Sequence, residues 1–399
     1  MVRELVPLAE ALDAVLARCA PLATERLALA AAAGRVLAAD ALAVVDLPPF
    51  ATSAMDGYAA RAADVPGRLR VVGASAAGQP AAAAVGAGKA VAIATGGALP
   101  AGADAVVPIE DVVLRGNEIE VPAPVGAGAS VRPQGGDVGA GEVAVPAGAR
   151  LTAARIGALA AAGVDAVDCR RRPRVAVLPT GSELRRPGEQ LAPGEIYEAN
   201  GAMLAAALER AGAAVRTLPV VADDEAAHRR ALARGLEAAD VLVTSGGVSV
   251  GPHDLVRRVA ADLGVEEVFW GVAVKPGKPL AFGVRGSTLV FGLPGNPVSS
   301  LVGLALFVLP AVRALEGDPR ARPEFQPGVL ARAVRRNRAR DQLLRARASA
   351  SADGVVLDPL SGQESHMIVR SAAADALVLV ERGDGDLARG ARVGYLPLP

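Results

Sequence analysis

Between Pro173 and Leu315, short runs of branched aliphatic residues alternate with amphipathic stretches, and the runs end in turns rich in glycine and polar residues. This alternation constrains the fold more than any other feature. Strands of four to six apolar residues read at Arg174–Leu178, Ala214–Val221, Asp240–Thr244, Pro279–Val284 and Ser287–Phe291. Helical spacing reads at Asn200–Ala211, Asp223–Ala239, Pro252–Leu263 and Val298–Leu315. Strands that alternate with helices imply a parallel, doubly wound sheet. Such sheets bind ligands beyond the carboxyl ends of their strands.

The flanks read differently. Residues 4–39 carry the spacing of amphipathic helices, punctuated by Pro7 and Pro21. From Asp46 to Pro146 short valine-rich runs (Leu69–Val72, Ala90–Ala94, Ala105–Ile109, Ile119–Val121) alternate with Gly and Pro, the pattern of a small all-β unit. Leu151–Gly163 predicts a helix with Thr152 as N-cap. Residues 328–399 read as a second small β domain. A chain of 399 residues exceeds one hydrophobic core, so two to four compact units are expected.

Composition excludes several classes. Lys+Arg and Asp+Glu are both 42, and a balanced chain lacks the basic excess of a general nucleic-acid binder. No uninterrupted apolar run approaches a membrane span, and the acidic N-terminus lacks a signal-peptide pattern. Cys19 and Cys169 cannot make a disulfide framework, and no CxxC or HExxH suggests zinc. Cytoplasmic residence is the expectation.

Three strand ends carry polar loops: Thr180-Gly181-Ser182-Glu183, Thr244 to Asp254, and Gly292 to Pro297. Glycine turns expose N–H groups, and the following helices add positive dipole ends, so each loop suits phosphate or another oxyanion. One such loop is ordinary in an α/β protein. Three in one sheet, joined to a lysine pair, point to a site.

Lysine occurs only at Lys89, Lys275 and Lys278; every other basic residue is arginine. The two are not interchangeable where a compact point charge is needed. In Lys275-Pro276-Gly277-Lys278-Pro279 the prolines fix φ and the glycine permits a sharp turn. Two ammonium groups held close repel unless an anion bridges them. Glu183, Asp223, Asp224 and Asp254 lie at strand ends or helix starts; helix capping competes with Mg²⁺ binding as their role, above all for Asp223 and Asp224.

Two motifs mislead. Gly247 to Gly251 matches GxSxG, but the strand stops at Thr244 and two glycines intervene before the helix, unlike a nucleophile elbow. Gly88-Lys89 lacks the first Gly and the Ser/Thr of a P-loop. The nine arginines between Arg320 and Arg347 lack interleaved aromatics and read as solvated β positions, with one or two able to face the site.

In the first β unit, Ser53-Ala54-Met55-Asp56-Gly57-Tyr58-Ala59 sets scarce Met and Tyr beside a carboxylate, followed by Thr95-Gly96-Gly97 and Gly136-Asp137. With the loops from Ser245 to Gly251, Lys275 to Pro279 and Leu293 to Pro297, these motifs resemble, in order and along nearly the whole chain, the MoeA family of molybdopterin molybdenumtransferases, to which the E domain of gephyrin belongs. Ser182, His253, Leu343 and Asp375 depart from its usual residues.

The resemblance implies a multidomain α/β and all-β fold: a three-layer α/β molybdopterin-binding domain, two small β domains and a helical, extended domain. It implies domain I at 24–43 and 142–172, domain II at 44–141, domain III at 1–23 and 173–319, and domain IV, a β barrel, at 320–399. The expected reaction inserts molybdate into adenylylated molybdopterin and releases AMP. The catalytic set it implies is Asp56, Glu183, Asp254, Lys275 and Lys278. Substrate would meet Thr95, Asp137, Thr180, Ser245, Gly246 and Gly247. It would also meet Ser249, Gly251, Pro294, Asn296 and Pro297. Mg²⁺ would sit on Glu183, Asp224 and Asp254. A homodimer is implied, with Asp56, Thr95 and Asp137 reaching the partner's cleft. Further partners would be the molybdopterin adenylyltransferase and cofactor-accepting apoenzymes, with no nucleic acid or membrane. The alternatives are the adenylyltransferase activity itself, which needs only the α/β unit, and a scaffold role.

Overall fold

The computed structural model describes residues 4–247, 255–352 and 354–398. Contacts divide the chain into two compact units, Met1–Glu25 with Arg170–Pro399, and Arg26–Cys169.

The first unit is built on a six-stranded sheet of β1 (Arg174–Pro179), β2 (Ala214–Thr217), β3 (Val241–Ser245), β4 (Glu266–Trp270), β5 (Ala281–Arg285) and β6 (Thr288–Leu293). Its order is β2-β1-β3-β6-β5-β4. Alternation along β1 shows how the layers form. Val175 and Val177 face a core shared with Leu204, Leu208 and Val302, whereas Ala176 and Leu178 face Leu232, Leu236 and Val259. One face is thus covered by α1 (Asn200–Arg210) and α4 (Pro297–Leu315), the other by α2 (Glu225–Ala238) and α3 (Leu255–Asp262). The result is the expected three-layer α/β arrangement.

Asp240 fixes the base of the sheet. Both its oxygens accept from the Arg171 guanidinium at 2.7 Å, and Oδ2 also takes the Arg174 N–H at 2.8 Å. Burial alone would raise its pKa; the bonds from Arg171 and Arg174 outweigh that and hold the carboxyl well below the usual range.

Two expectations need correction here. The sheet is not all parallel: β5 pairs antiparallel with both β6 and β4. Gly286, at φ 58°, allows the tight turn that returns β5 into β6. The strand β4 itself is not evident from periodicity. Residues 4–39 are also not helical throughout. Only Leu8–Leu16 is an α-helix, while Thr24–Ala28 is a strand paired with Ala166–Arg170. The local helical spacing is overridden here by the strand pairing, since tertiary context routinely outweighs intrinsic propensity.

Helix α4 is apolar and long enough to cross a membrane, yet 83% of its most apolar window is buried inside the protein. It is the central core helix. After it, Asp341–Ser351, Gly354–Pro359, Gln326–Leu330, Arg392–Pro397 and Ala376–Val380 pair in that order, and the first also pairs with the last, closing a β barrel. Val274–Lys275 adds to this sheet, with Lys275 opposite Gln342.

The second unit contains a six-stranded sheet in the spatial order Ala105–Pro108, Gly57–Ala60, Lys89–Ile93, Gly67–Ser75, Glu118–Val121, Val113–Arg115. A separate small core joins Leu37, Leu151, Leu159 and Val167. Its helix Ala153–Ala161 starts at Thr152, whose Oγ1 accepts the Arg155 N–H at 3.4 Å, as an N-cap should.

Candidate functional site

Strands β1, β3 and β6 run parallel, so their carboxyl ends come out on one edge. A cavity of about 760 Å³ opens there, lined by residues from all three strand-end loops. Thr180 and Glu183 come from the first loop, Ser245, Gly246 and Gly247 from the second. Pro294, Asn296 and Pro297 come from the third. The structure therefore gathers these eight expected residues around one space.

Close packing of the loops depends on glycine. Gly246 has φ 99°, and a Cβ there would lie 2.5 Å from the Thr180 carbonyl oxygen. Thr180 N–H and Oγ1 both donate to the Ser245 carbonyl, at 2.9 and 3.2 Å. The N–H groups of Gly247, Gly295 and Asn296 have no intramolecular acceptor among the described residues. They are donors available to an anion at the start of α4.

Carboxylates also line this cavity. Glu183 folds back over Gly181, where a Cβ would sit 2.6 Å from Oε2. Asp223 also borders the cavity, and its backbone N–H donates to Ser182 Oγ at 2.9 Å. Asp224, expected on a metal, is not among the cavity residues; its Oδ1 accepts the Ala227 N–H at 2.7 Å and caps α2. The acidic pair at a helix start is split by the turn, one residue to the cavity and the next to the cap. Ser249, Gly251 and Asp254 lie outside the described residues.

A second cavity, of about 590 Å³, adjoins the first and shares Pro279, Pro294, Asn296 and His366 with it. Lys275 and Lys278 line it; both are exposed, and neither ammonium group has an ion-pair or hydrogen-bond partner among the described residues. Gly277 between them has φ 110°, the turn the sequence requires. Arg340 and Gln342 from the barrel close the other side.

One arginine departs from the solvated reading. Arg345 is fully buried, and its guanidinium donates to the carbonyls of Gly362 and Met367, each at 2.7 Å, and to Ser371 Oγ at 2.8 Å. Burial lowers its pKa. It shapes the segment that brings Glu364, Ser365 and His366 to the lysine cavity. Nothing in an arginine-rich run marks the one member whose acceptors come from a loop some twenty residues on.

In the second unit, Asp56 Oδ1 accepts both the N–H and the Oγ1 of Thr95, at 2.7 and 2.8 Å. These bonds, the backbone one foremost, lower its pKa, so the exposed carboxylate stays charged at neutral pH. The Asp137 N–H donates to the Leu47 carbonyl. Asp46, which sequence reasoning missed, takes bonds from Ala140 N–H and Gln134 Nε2 and so organises the loop that carries Asp137. Also missed were Asn200, Tyr197 and Glu198 on the strand-end cavity. The only signal was an Asn and a Glu at a helix start, where Glu198 does cap, accepting the Gly201 N–H. Burial pushes the Cys19 thiol up to about 12, which removes it as a nucleophile.

An α/β domain with an oxyanion cavity at its strand ends, followed by a β barrel that lends a wall to a lysine pocket, defines a multidomain enzyme acting on an anionic substrate. The chain belongs to the MoeA family. Residues 6–163 match the model of the MoeA N-terminal region (domain I and II), 176–314 that of a probable molybdopterin binding domain, and 327–398 that of the MoeA C-terminal region (domain IV). It is 34% identical over 385 residues to the molybdopterin molybdenumtransferase of Haemophilus influenzae, covering 94% of each chain. It is 35% identical to molybdopterin molybdenumtransferase 2 of Mycobacterium tuberculosis, covering 92% of this chain and 93% of the relative. A crystal structure of the molybdopterin biosynthesis MoeA protein from Pyrococcus horikoshii superimposes with a TM-score of 0.83 at 32% identity, covering 99% of this chain and all of that one.

Proposed function

We propose that the two adjoining cavities carry out the reaction for which the curated relatives are named, the transfer of molybdenum to molybdopterin. The observation that carries this reading is the pair of unpartnered lysines on a cavity that shares walls with the strand-end cavity. The substrates are adenylylated molybdopterin and molybdate. Strand-end donors around Ser245, Gly247 and Asn296 hold the phosphoanhydride. Lys275 and Lys278 hold molybdate oxygens as point charges. Water adds to phosphorus, the P–O bond to the adenylate breaks, and AMP leaves. The two dithiolene sulfurs then bind molybdenum in place of one oxide, which leaves as a single water with the two thiol protons.

Mg²⁺ fits the first cavity. Glu183 and Asp223 offer hard carboxylate oxygens on its wall, and no cluster of three or more metal-binding side chains exists among the described residues. A cation that takes one or two carboxylates and completes its shell from substrate phosphate and water matches that donor set. When bound it would neutralise developing charge on the phosphoanhydride. Asp254 is a further candidate ligand, outside the described residues.

The family resemblance supports a homodimer in the cytoplasm, with Asp56, Thr95 and Asp137 contributed to the cleft by the second copy, and the four-domain division given above. The adenylyltransferase and cofactor-accepting apoenzymes are the partners that substrate supply and product delivery require. The test is direct: purified protein, adenylylated molybdopterin, molybdate and Mg²⁺ should give molybdate-dependent AMP release. AMP formed at the same rate without molybdate, or none at all, sinks the reading.

A further inference from the structure

Asn200, the first residue of α1, borders the strand-end cavity and is only 8% exposed. Its Nδ2 donates to Ser245 Oγ and to the Gly295 carbonyl, both at 2.7 Å. Gly295 O can only accept, so nitrogen must face it; turning the amide over would set two acceptors together. The orientation leaves Oδ1 buried with no partner. Buried amides rarely leave an acceptor empty, and the exception asks for a reason.

The reason lies in what the amide does to Ser245. A hydroxyl has one hydrogen to give and two lone pairs that accept. Asn200 fills a lone pair of Ser245 Oγ, and it presents hydrogens there, so the serine hydrogen cannot point back at it. No acceptor among the described residues takes that hydrogen. Ser245 is 3% exposed and borders the same cavity, next to the N–H groups of Gly247, Gly295 and Asn296 that also lack acceptors.

We propose that Asn200 is a positioning residue: by donating to Ser245 Oγ and clamping it to the Gly295 loop, it fixes the serine O–H as a donor to an anionic phosphoanhydride oxygen of the substrate. The inference rests on the substrate assigned above. It differs from a structural role for Asn200, which would require only the bond to Gly295. It also accounts for the empty Oδ1, because any arrangement that satisfied it at Ser245 would take the serine hydrogen away from the ligand.

A double-mutant cycle separates the two roles. Ser245→Ala and Asn200→Ala should each raise KM for adenylylated molybdopterin about tenfold, the loss of one bond to a charged group, with kcat within about twofold. The double variant should also lose about tenfold, since Asn200 acts through Ser245. A loss near a hundredfold, the product of independent effects, overturns the proposal, as does an unchanged KM in Asn200→Ala. Should Asn200→Ala fail to fold by thermal melting, Asn200→Ser, too short to reach both partners, takes its place in the cycle. Calorimetric binding of pyrophosphate to the same proteins needs no turnover and should follow the same non-additive pattern. That pattern in a protein that releases no AMP would retain the positioning role while the proposed function fails. Normal AMP release with additive losses would do the reverse.

Discussion

The two cavities share Pro279, Pro294, Asn296 and His366, yet they are equipped to hold anions by opposite means. At the strand ends the donors are backbone N–H groups and one clamped hydroxyl, placed by turns that only glycine can make. Beside Lys275 and Lys278 the charge rides on exposed, flexible side chains, held in place by a Pro/Gly segment and a two-residue pairing with the barrel. The first arrangement selects position: a phosphoanhydride oxygen must arrive where the dipoles already converge. The second supplies net charge, which a compact dianion such as molybdate needs more than directional detail. Placing both in adjoining spaces suits a reaction in which one anion leaves while another is taken up.

That contrast can be broken in order of effect. Replacing both lysines, Lys275→Ala with Lys278→Ala, should lower kcat/KM for molybdate by about a hundredfold or more, the loss of two charge-assisted contacts. Melting should shift by no more than a few degrees, because both side chains are exposed. Retained turnover would mean that the charge comes from elsewhere, such as Arg340, which lines the same cavity. Gly246→Ala should behave the other way round. Its φ of 99° and the 2.5 Å approach to Thr180 O make any side chain costly, by about 2–3 kcal/mol. Thermal melting should report the destabilisation, and pyrophosphate binding should weaken with it. A variant as stable as the parent would show that the strand-end geometry is adjustable and not fixed by backbone.

The same division explains what could be read from the sequence. Backbone-built features leave strong local marks: Ser245-Gly246-Gly247 and Pro294-Gly295-Asn296-Pro297 announce turns, and the cavity appears where the turns converge. Lysine scarcity made the charged pair equally plain. Features created by tertiary contact left none. Arg345 looks like its neighbours until the chain between Gly362 and Ser371 wraps around it. Asn200 looks like a helix start until Ser245 and Gly295 are brought within 2.7 Å. The antiparallel strand β5 carries the same kind of apolar run as the parallel ones, and hydrophobic pattern alone does not encode strand direction.

The smallest effect offers the sharpest test of the contrast. Exposed charges are screened over about 10 Å at 0.1 M ionic strength and about 3 Å at 1 M. Lys275 and Lys278 act through such charges, so the dissociation constant for molybdate should rise about severalfold between 0.05 and 0.5 M salt. The strand-end donors act through short hydrogen bonds in a recess, where screening has less reach. In the Lys275→Ala, Lys278→Ala protein, the affinity that remains for pyrophosphate should therefore change by less than about twofold over the same range. Calorimetry at three salt concentrations measures both slopes. If the double variant keeps the steep slope of the parent, the lysines are not the source of the field, and the two cavities do not divide the work between charge and geometry.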